Sequence, residues 1–257
     1  MRILAIGDIY GKTGREVIRK LLKKIIENNS IDLIIANVEN ATHGKGLTRK
    51  HYQELKRYGI DVMTSGNHIF SQEETLKLIE DVPDLIRPIN SNFYHPGKGS
   101  MIINSKGKKI RVTNILGNNF MPTSAENPYR HLEEIIKYDD SDIHLVDFHA
   151  ESTAEKNALA LYYDGKISAL WGTHTHVQTA DERILPKGTG FITDLGMTGP
   201  YSGIIGANPN VVFKRTKYGL SSKMLPWEDN GQLNAAIFIF DDESNKLLEI
   251  NRIKEVL

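Results

Sequence analysis

The sequence predicts an α/β fold, and three observations carry the prediction. Short apolar runs alternate with amphipathic segments as far as about Ser100; beyond it hairpin patterns appear between further helices; and the C-terminal stretch returns to β-type runs. Ile3 to Ile6 form the first buried strand. Val17, Ile18, Leu21, Leu22, Ile25 and Ile26 recur at helical spacing, and Thr13 with Glu16 reads as a T-x-x-E capping box at that helix's start. A strand over Asp32 to Val38, a helix near Thr48 to Tyr58, a strand over Asp61 to Ser65 and a helix from Ser71, capped with Glu74, complete a βαβαβα series. Such a series argues for a parallel sheet with crossover helices. Met101 to Asn104 and Ile110 to Ile115 flank Ser105-Lys106-Gly107-Lys108 as a hairpin. A helix near Pro128 to Tyr138, a strand over Ile143 to Phe148, a helix from about Thr153 and a strand over Ile167 to Trp171 follow. Ala235 to Phe240 and Lys246 to Ile253 surround the turn Asp241 to Ser244. No linker, internal repeat or low-complexity segment interrupts the pattern, so residues 1–257 read as a single domain with two packed sheets.

Composition narrows the partners. The chain has 32 Lys+Arg against 32 Asp+Glu, so its global field gives no reason to expect duplex nucleic acid or an anionic membrane. A small charged substrate remains open, as does assembly into a homo-oligomer. Cysteine is absent, which removes disulfides, zinc–thiolate sites and cysteine nucleophiles together. No apolar run approaches the ~20 residues of a membrane span, and a cytoplasmic protein is the expectation.

The stretch AIGDIYGKTGRE, Ala5 to Glu16, admits two functions. Gly7, Gly11, Lys12 and Thr13 give G-x-x-x-G-K-T, one residue short of a P-loop, which would make the chain a phosphotransferase with Lys12 and Thr13 on a triphosphate. Alternatively the turn presents Asp8 to a metal. The other strand ends favour the metal. Asp8 follows the first strand, Glu39 and Asn40 the second, Asn67 and His68 the third, His149 the strand in LVDFHAE, and His174 and His176 the strand in ALWGTHTH. Ligand sites of open α/β sheets lie outside the carboxyl ends of the strands, so these positions converge in space.

Taken singly, each residue has a duller explanation: Asn40 and Asn67 as turn formers, Glu39 as a solvated acid, His149 as a hydrogen-bonded structural histidine. The pair His174 and His176 changes the balance, because i and i+2 side chains of an extended strand share a face, and Gly172 leaves room for close approach. Carboxylates, amide oxygens and imidazoles without thiolate suit Mn, Fe or Zn. Seven candidate ligands, Asp8, Glu39, Asn40, Asn67, His149, His174 and His176, exceed the needs of one ion and suit two that share a carboxylate.

Gly7-Asp8, Gly66-Asn67-His68, His149 and Gly172-Thr173-His174-Thr175-His176 resemble, in the same order, the dispersed motifs of the calcineurin-like metallophosphoesterases. Departures narrow the resemblance. Tyr10 stands where the superfamily's GDxH has His, Glu39 replaces the bridging Asp, and Ile69 follows Gly-Asn-His where an acid is usual. With DFHAE, Asp147 to Glu151, these features resemble the bacterial YmdB-type group over nearly the whole chain.

The resemblance implies a four-layer α/β/β/α sandwich with two packed mixed sheets, iron or manganese as two divalent or mixed-valence ions, and phosphodiesterase activity on 2′,3′-cyclic nucleotides. It implies Asp8, Glu39, Asn40 and His176 on one ion and Glu39, Asn67, His149 and His174 on the other. Two such ions ~3.5–4 Å apart activate water and stabilise phosphoryl charge. His68, next to Asn67, is the best-placed general acid for a ribose leaving group. His43 and Lys45, in ATHGKG, and Lys12 are candidates for substrate phosphate. His51, His95, His131 and His144 have no partner motif and are read as structural. The loops Pro122 to Asn127 and Thr198 to Asn208 carry no legible base-reading pattern. A non-catalytic sensor that keeps the ligand set is the other class left open, and turnover separates it from an enzyme.

Overall fold

In the computed structural model, which describes residues 1–257, the apolar run of the first strand becomes β1 (Arg2–Ile6) and is followed at once by a short β2 (Asp8–Ile9). Then come α1 (Gly11–Asn29), β3 (Leu33–Asn37), α2 (Arg49–Arg57), β4 (Val62–Thr64) and α3 (Glu74–Asp81). The hairpin β5 (Ser100–Ser105) and β6 (Lys108–Leu116) precedes α4 (Pro128–Lys137), β7 (Ile143–His149), α5 (Thr153–Tyr162) and β8 (Ala169–Thr173). The last part comprises β9 (Arg183–Ile184), β10 (Gly190–Ile192), β11 (Met197–Pro200), α6 (Pro209–Tyr218), β12 (Gly231–Phe240) and β13 (Leu247–Val256).

The strands form two mixed sheets. In the first, β1 and β3 and then β3 and β4 pair parallel, while β12 runs antiparallel to β1, β11 and β13. The second has order β5-β6-β7-β8-β10-β9, parallel through its centre with antiparallel strands at both edges.

Strand alternation explains the layering. Ile3, Ala5, Ile35, Val112, Leu145, Trp171 and Phe238 share one core between the sheets, and the Trp171 and Phe238 rings meet there at 5.4 Å. Their neighbours of opposite parity, Leu4 and Ile6, face out against Val17, Ile18, Leu55 and Leu78 of α1 to α3. On the other side Val146, Phe148 and Leu170 pack against Leu132 and Leu159 of α4 and α5. Helix, sheet, sheet and helix thus make the expected four layers.

Three local expectations change. Helix α1 begins at Gly11 with Tyr10 as its N-cap and no side-chain cap, so Thr13 lies inside the helix and is not its capping residue. Glu16 pairs instead with Arg19, one turn on. The helix expected from Ser71 begins at Glu74, because Ile69 to Ser71 form a separate 3-10 turn. Between His176 and Ala235, where the sequence reads only as a loop over Thr198 to Asn208, the structure has β9, β10, β11 and α6, and β11 takes the first residues of that loop. No helix is long and apolar enough to cross a membrane.

Candidate metal centre

The polar residues of the centre continue the inward-facing parity of the strands that bury the core. Above Ile35 comes Asn37, above Val62 comes Thr64, above Leu145 come Asp147 and His149, and above Trp171 comes Thr173. The core between the sheets therefore ends in a buried polar layer, where the strands stop. Asp147 accepts hydrogen bonds from the Thr64 hydroxyl, from Asn37 Nδ2 at 3.1 Å and from Thr173 Oγ1 at 2.6 Å.

On that layer sits His149, fully buried. Its Nδ1 lies 2.9 Å from Thr173 Oγ1. The hydroxyl's one proton goes to Asp147, so Nδ1 donates to the hydroxyl oxygen and Nε2 is the nitrogen left facing the site. Nε2 lies 3.2 Å from Glu39 Oε1, 3.1 Å from Asn67 Oδ1 and 3.1 Å from His174 Nδ1. The second group is built around His176. Its Nδ1 donates to the Ile205 carbonyl at 2.9 Å, and its Nε2 lies 3.2 Å from Asn40 Nδ2 and 3.9 Å from Asp8 Oδ1.

Backbone amides hold the carboxylates. The His174 amide donates to Asp8 Oδ2 at 3.1 Å and the His68 amide to Glu39 Oε2 at 2.8 Å. Asp8 is fully buried, and its Oδ1 has no hydrogen-bond partner. Burial raises the Asp8 pKa to about 6, against the pull of His176 and His149. Burial also works to raise Glu39, but the adjacent His149, helped by His68, reverses it and holds this carboxyl well below the usual range. His149 is pushed down by burial, yet Glu39, Asp8 and Asp147 together lift it to about 9. Burial and the neighbouring His149 push His174 down to about 3.

These residues fit a cation. One donor atom each from Glu39, His149 and His174 fall within 4.8 Å of one another, an orphaned carboxylate oxygen waits beside them, and a side-chain carbon at Gly66 would run into both the Glu39 carboxylate and the His149 ring. Converging oxygen and imidazole donors without thiolate suit Mn, Fe or Zn.

His174 and His176 reach the centre by a different route from the one their spacing suggests. Strand β8 ends at Thr173, and both histidines have left-handed backbone, φ 101° and 66°, so a turn aims the rings and extended alternation does not. Asp194 braces that turn, accepting from the Thr175 amide at 3.2 Å and hydroxyl at 2.7 Å and from Lys156 at 2.7 Å. Gly172 makes room for the Thr193 carbonyl, not for the site. Tyr10, where the superfamily has His, is buried with its ring edge-on to His176 at 5.5 Å.

An open hollow of about 320 Å³ over the centre is lined by Glu39, Asn40, Lys45, His68, His174 and His176, with Glu151 beside them. Glu151 Oε2 lies 3.2 Å from His174 Nε2. Lys12 is not part of it: its ammonium pairs with Glu228 at 3.0 Å in a separate hollow. His43 is exposed and lies against His51. Backbone geometry counts against the P-loop reading. The amides of Gly7, Asp8, Tyr10 and Gly11 donate to the carbonyls of Asn234, Gly196, Thr198 and Asn40, so none of them is left to cradle phosphate.

Thr173 and Asp147 were read only as members of motifs, without a role, and Asp194 was not read at all. The signal for the first two was present, since each stands two residues beyond an inward apolar residue of its strand.

Comparison with known proteins agrees with this architecture. The family model for YmdB-like proteins matches residues 4–253. A 2′,3′-cyclic-nucleotide 2′-phosphodiesterase of Bacillus subtilis is 43% identical over 98% of this chain and 96% of its own. The crystal structure of a phosphatase from Mycoplasma pneumoniae superposes with TM-score 0.95 at 40% identity, covering 100% of this chain and 93% of that one. A 5′-nucleotidase precursor from Thermus thermophilus, 10% identical, shares the fold with TM-score 0.57 over 100% of this chain and 54% of its own. Identity of this order to the first two relatives over the whole chain marks a phosphoester hydrolase. With its motifs, its two-sheet fold and its full-length match in agreement, the chain belongs to the YmdB-like protein family.

Proposed function

We propose that the chain is a 2′,3′-cyclic-nucleotide phosphodiesterase whose centre holds two metal ions, iron or manganese. The observation that carries this reading is the shared position of Glu39: its Oε1 lies 3.2 Å from His149 Nε2 and 3.1 Å from Asn40 Nδ2. It therefore belongs to both groups of donors. Asp8, Glu39, Asn40 and His176 would hold one ion, and Glu39, Asn67, His149 and His174 the other. When bound, such a pair supplies an activated water and charge stabilisation at phosphorus.

The chain's own residues do the rest. Buried Asp147 and Thr173 fix the ring of His149, and the Ile205 carbonyl fixes His176. Lys45, exposed on the rim of the hollow, offers a cation to phosphate oxygens. His68 faces the same hollow and is the proton donor for the departing ribose oxygen. Burial lowers its pKa and Glu39 opposes that; an anionic phosphodiester adds a second upward pull. Lys12 and His43 take no part in this scheme. The proposal places the reaction in the cytoplasm, with a small phosphoester as partner.

The test is elemental analysis of anaerobically purified protein together with a phosphoester panel. Two ions per chain and preferential turnover of 2′,3′-cyclic nucleotides are expected. One ion in fully active protein, or activity on monoesters alone, would count against the proposal.

A further inference from the structure

A second, smaller hollow of about 110 Å³ shares a wall with the metal centre, formed by Gly66 and Asn67. Leu116 closes another side; it ends β6 and stands in register with His149. The hollow thus opens at the same end of the sheets as the catalytic groups. Aromatic rings line it beside Ile69 and Leu116. Phe70 and His95 stack with ring centroids 4.0 Å apart and planes 35° from parallel, and Phe93 lies 5.4 Å from His95. Phe93 is 57% exposed, so it presents a ring to solvent and adds little to the core.

The polar lining differs from that of the metal centre. It contains no carboxylate, and Arg87 donates through Nε, Nη1 and Nη2 to the carbonyls of Pro96, Pro88 and His95, which fixes the guanidinium and leaves two of its five N–H groups. Those three bonds pin the 87–96 segment, so the rings are set before a ligand arrives. Ser91 and Thr123 add hydroxyls. A site of stacked rings, two hydroxyls and a fixed guanidinium suits a planar heterocycle with hydrogen-bonding edges.

We infer that this hollow seats the nucleobase of the substrate, with Phe93, Phe70 and His95 as its stacking platform, while the phosphate lies over the Glu39 cluster beyond Asn67. The inference rests on the phosphodiesterase reading and deepens it. Stacking accepts any base because every base has a π face, and hydroxyls serve donors and acceptors alike. Purine and pyrimidine cyclic nucleotides are both substrates on this account.

The test compares adenosine 2′,3′-cyclic phosphate with the base-free 2′,3′-cyclic phosphate of 1-O-methylribose. Phe93→Ala should lower the ratio of their kcat/KM values about tenfold, chiefly through KM of the nucleotide, and Phe93→Tyr should restore it. Independently of turnover, the fluorescence of 2-aminopurine riboside should be quenched by metal-free wild-type protein and by Phe93→Tyr, and far less by Phe93→Ala. An unchanged ratio, or equal quenching by wild type and Phe93→Ala, overturns the base site. Failure of the wild type to hydrolyse either cyclic phosphate refutes the phosphodiesterase reading instead, and the quenching then decides whether the pocket binds a base.

Discussion

Thr173 Oγ1 lies 2.9 Å from His149 Nδ1 and donates its own hydrogen bond to Asp147 at 2.6 Å. One hydroxyl thus decides which imidazole nitrogen faces Glu39. Partners of this kind orient metal-binding histidines, and their loss typically costs ~10–100-fold in metal affinity. Thr173→Val, nearly isosteric, should weaken metal binding by about that factor in chelator competition, and Thr173→Ser should restore it. Retained affinity in folded Thr173→Val would show that the ring needs no such anchor.

Glu39 is the one carboxylate within 3.2 Å of both donor groups. Glu39→Gln should lower occupancy of both proposed sites together, read as metal per chain by elemental analysis after dialysis. Loss of a single ion would assign Glu39 to one site only. Chelation of the wild type should abolish hydrolysis, and iron or manganese should restore it.

Lys156 and Asp194 form a fully buried ion pair at 2.7 Å. Removing one partner of such a pair leaves a buried uncompensated charge and costs ~3–5 kcal/mol. Lys156→Met should lower stability by about that amount in denaturant titrations, and adding Asp194→Asn should recover part of it. Burial works to raise the Asp194 pKa, but Lys156 together with the Thr175 and Gly196 hydrogen bonds more than offsets it and leaves the pKa lowered. The folded-state value is therefore depressed, so the contribution of Asp194 is present above its ordinary ~3.9 and disappears as pH falls through the folded value.

The sheets were legible because strand parity and helical spacing leave visible periods, as in Ile3 to Ile6 and Val17 to Ile26. Strand ends also announced Asp8, Glu39, Asn67 and His149. What stayed hidden has physical reasons. Helix α6 buries no residue, so it has no apolar stripe, although Asn208, Pro209 and Gly219 spell its two ends. The His174 to His176 turn depends on backbone torsions that non-glycine residues rarely adopt, and nothing in the residue types signals them. The Thr13 capping box failed because Gly11, at φ 59°, starts the helix earlier. The amide hydrogen bonds that close the P-loop reading run to residues as distant as Asn234, beyond any local motif.

Lys12 and Asn67 should separate cleanly under mutation. Lys12 is exposed and paired with Glu228, so Lys12→Ala should leave metal content and turnover close to wild type. Asn67 Oδ1 lies 3.1 Å from His149 Nε2, and Asn67→Ala should nearly abolish turnover while metal content falls, as should His174→Ala. The reverse ordering would return substrate binding to the Gly7 to Thr13 turn.

His68 is tested through the leaving group. General acid catalysis is worth typically 10²–10⁴-fold, but only where the departing oxygen is basic enough to need a proton in the transition state. A ribose alkoxide needs one; a nitrophenolate hardly does. His68→Ala should therefore slow a 2′,3′-cyclic nucleotide at least a hundredfold more than bis-nitrophenyl phosphate, with metal content unchanged. The competing role is support of Asn67, whose Nδ2 lies 3.5 Å from the His68 ring nitrogens. Support would make both substrates suffer alike and lower metal affinity with them. Equal losses at saturating metal would take the proton donor's role from His68 and leave the metal centre standing.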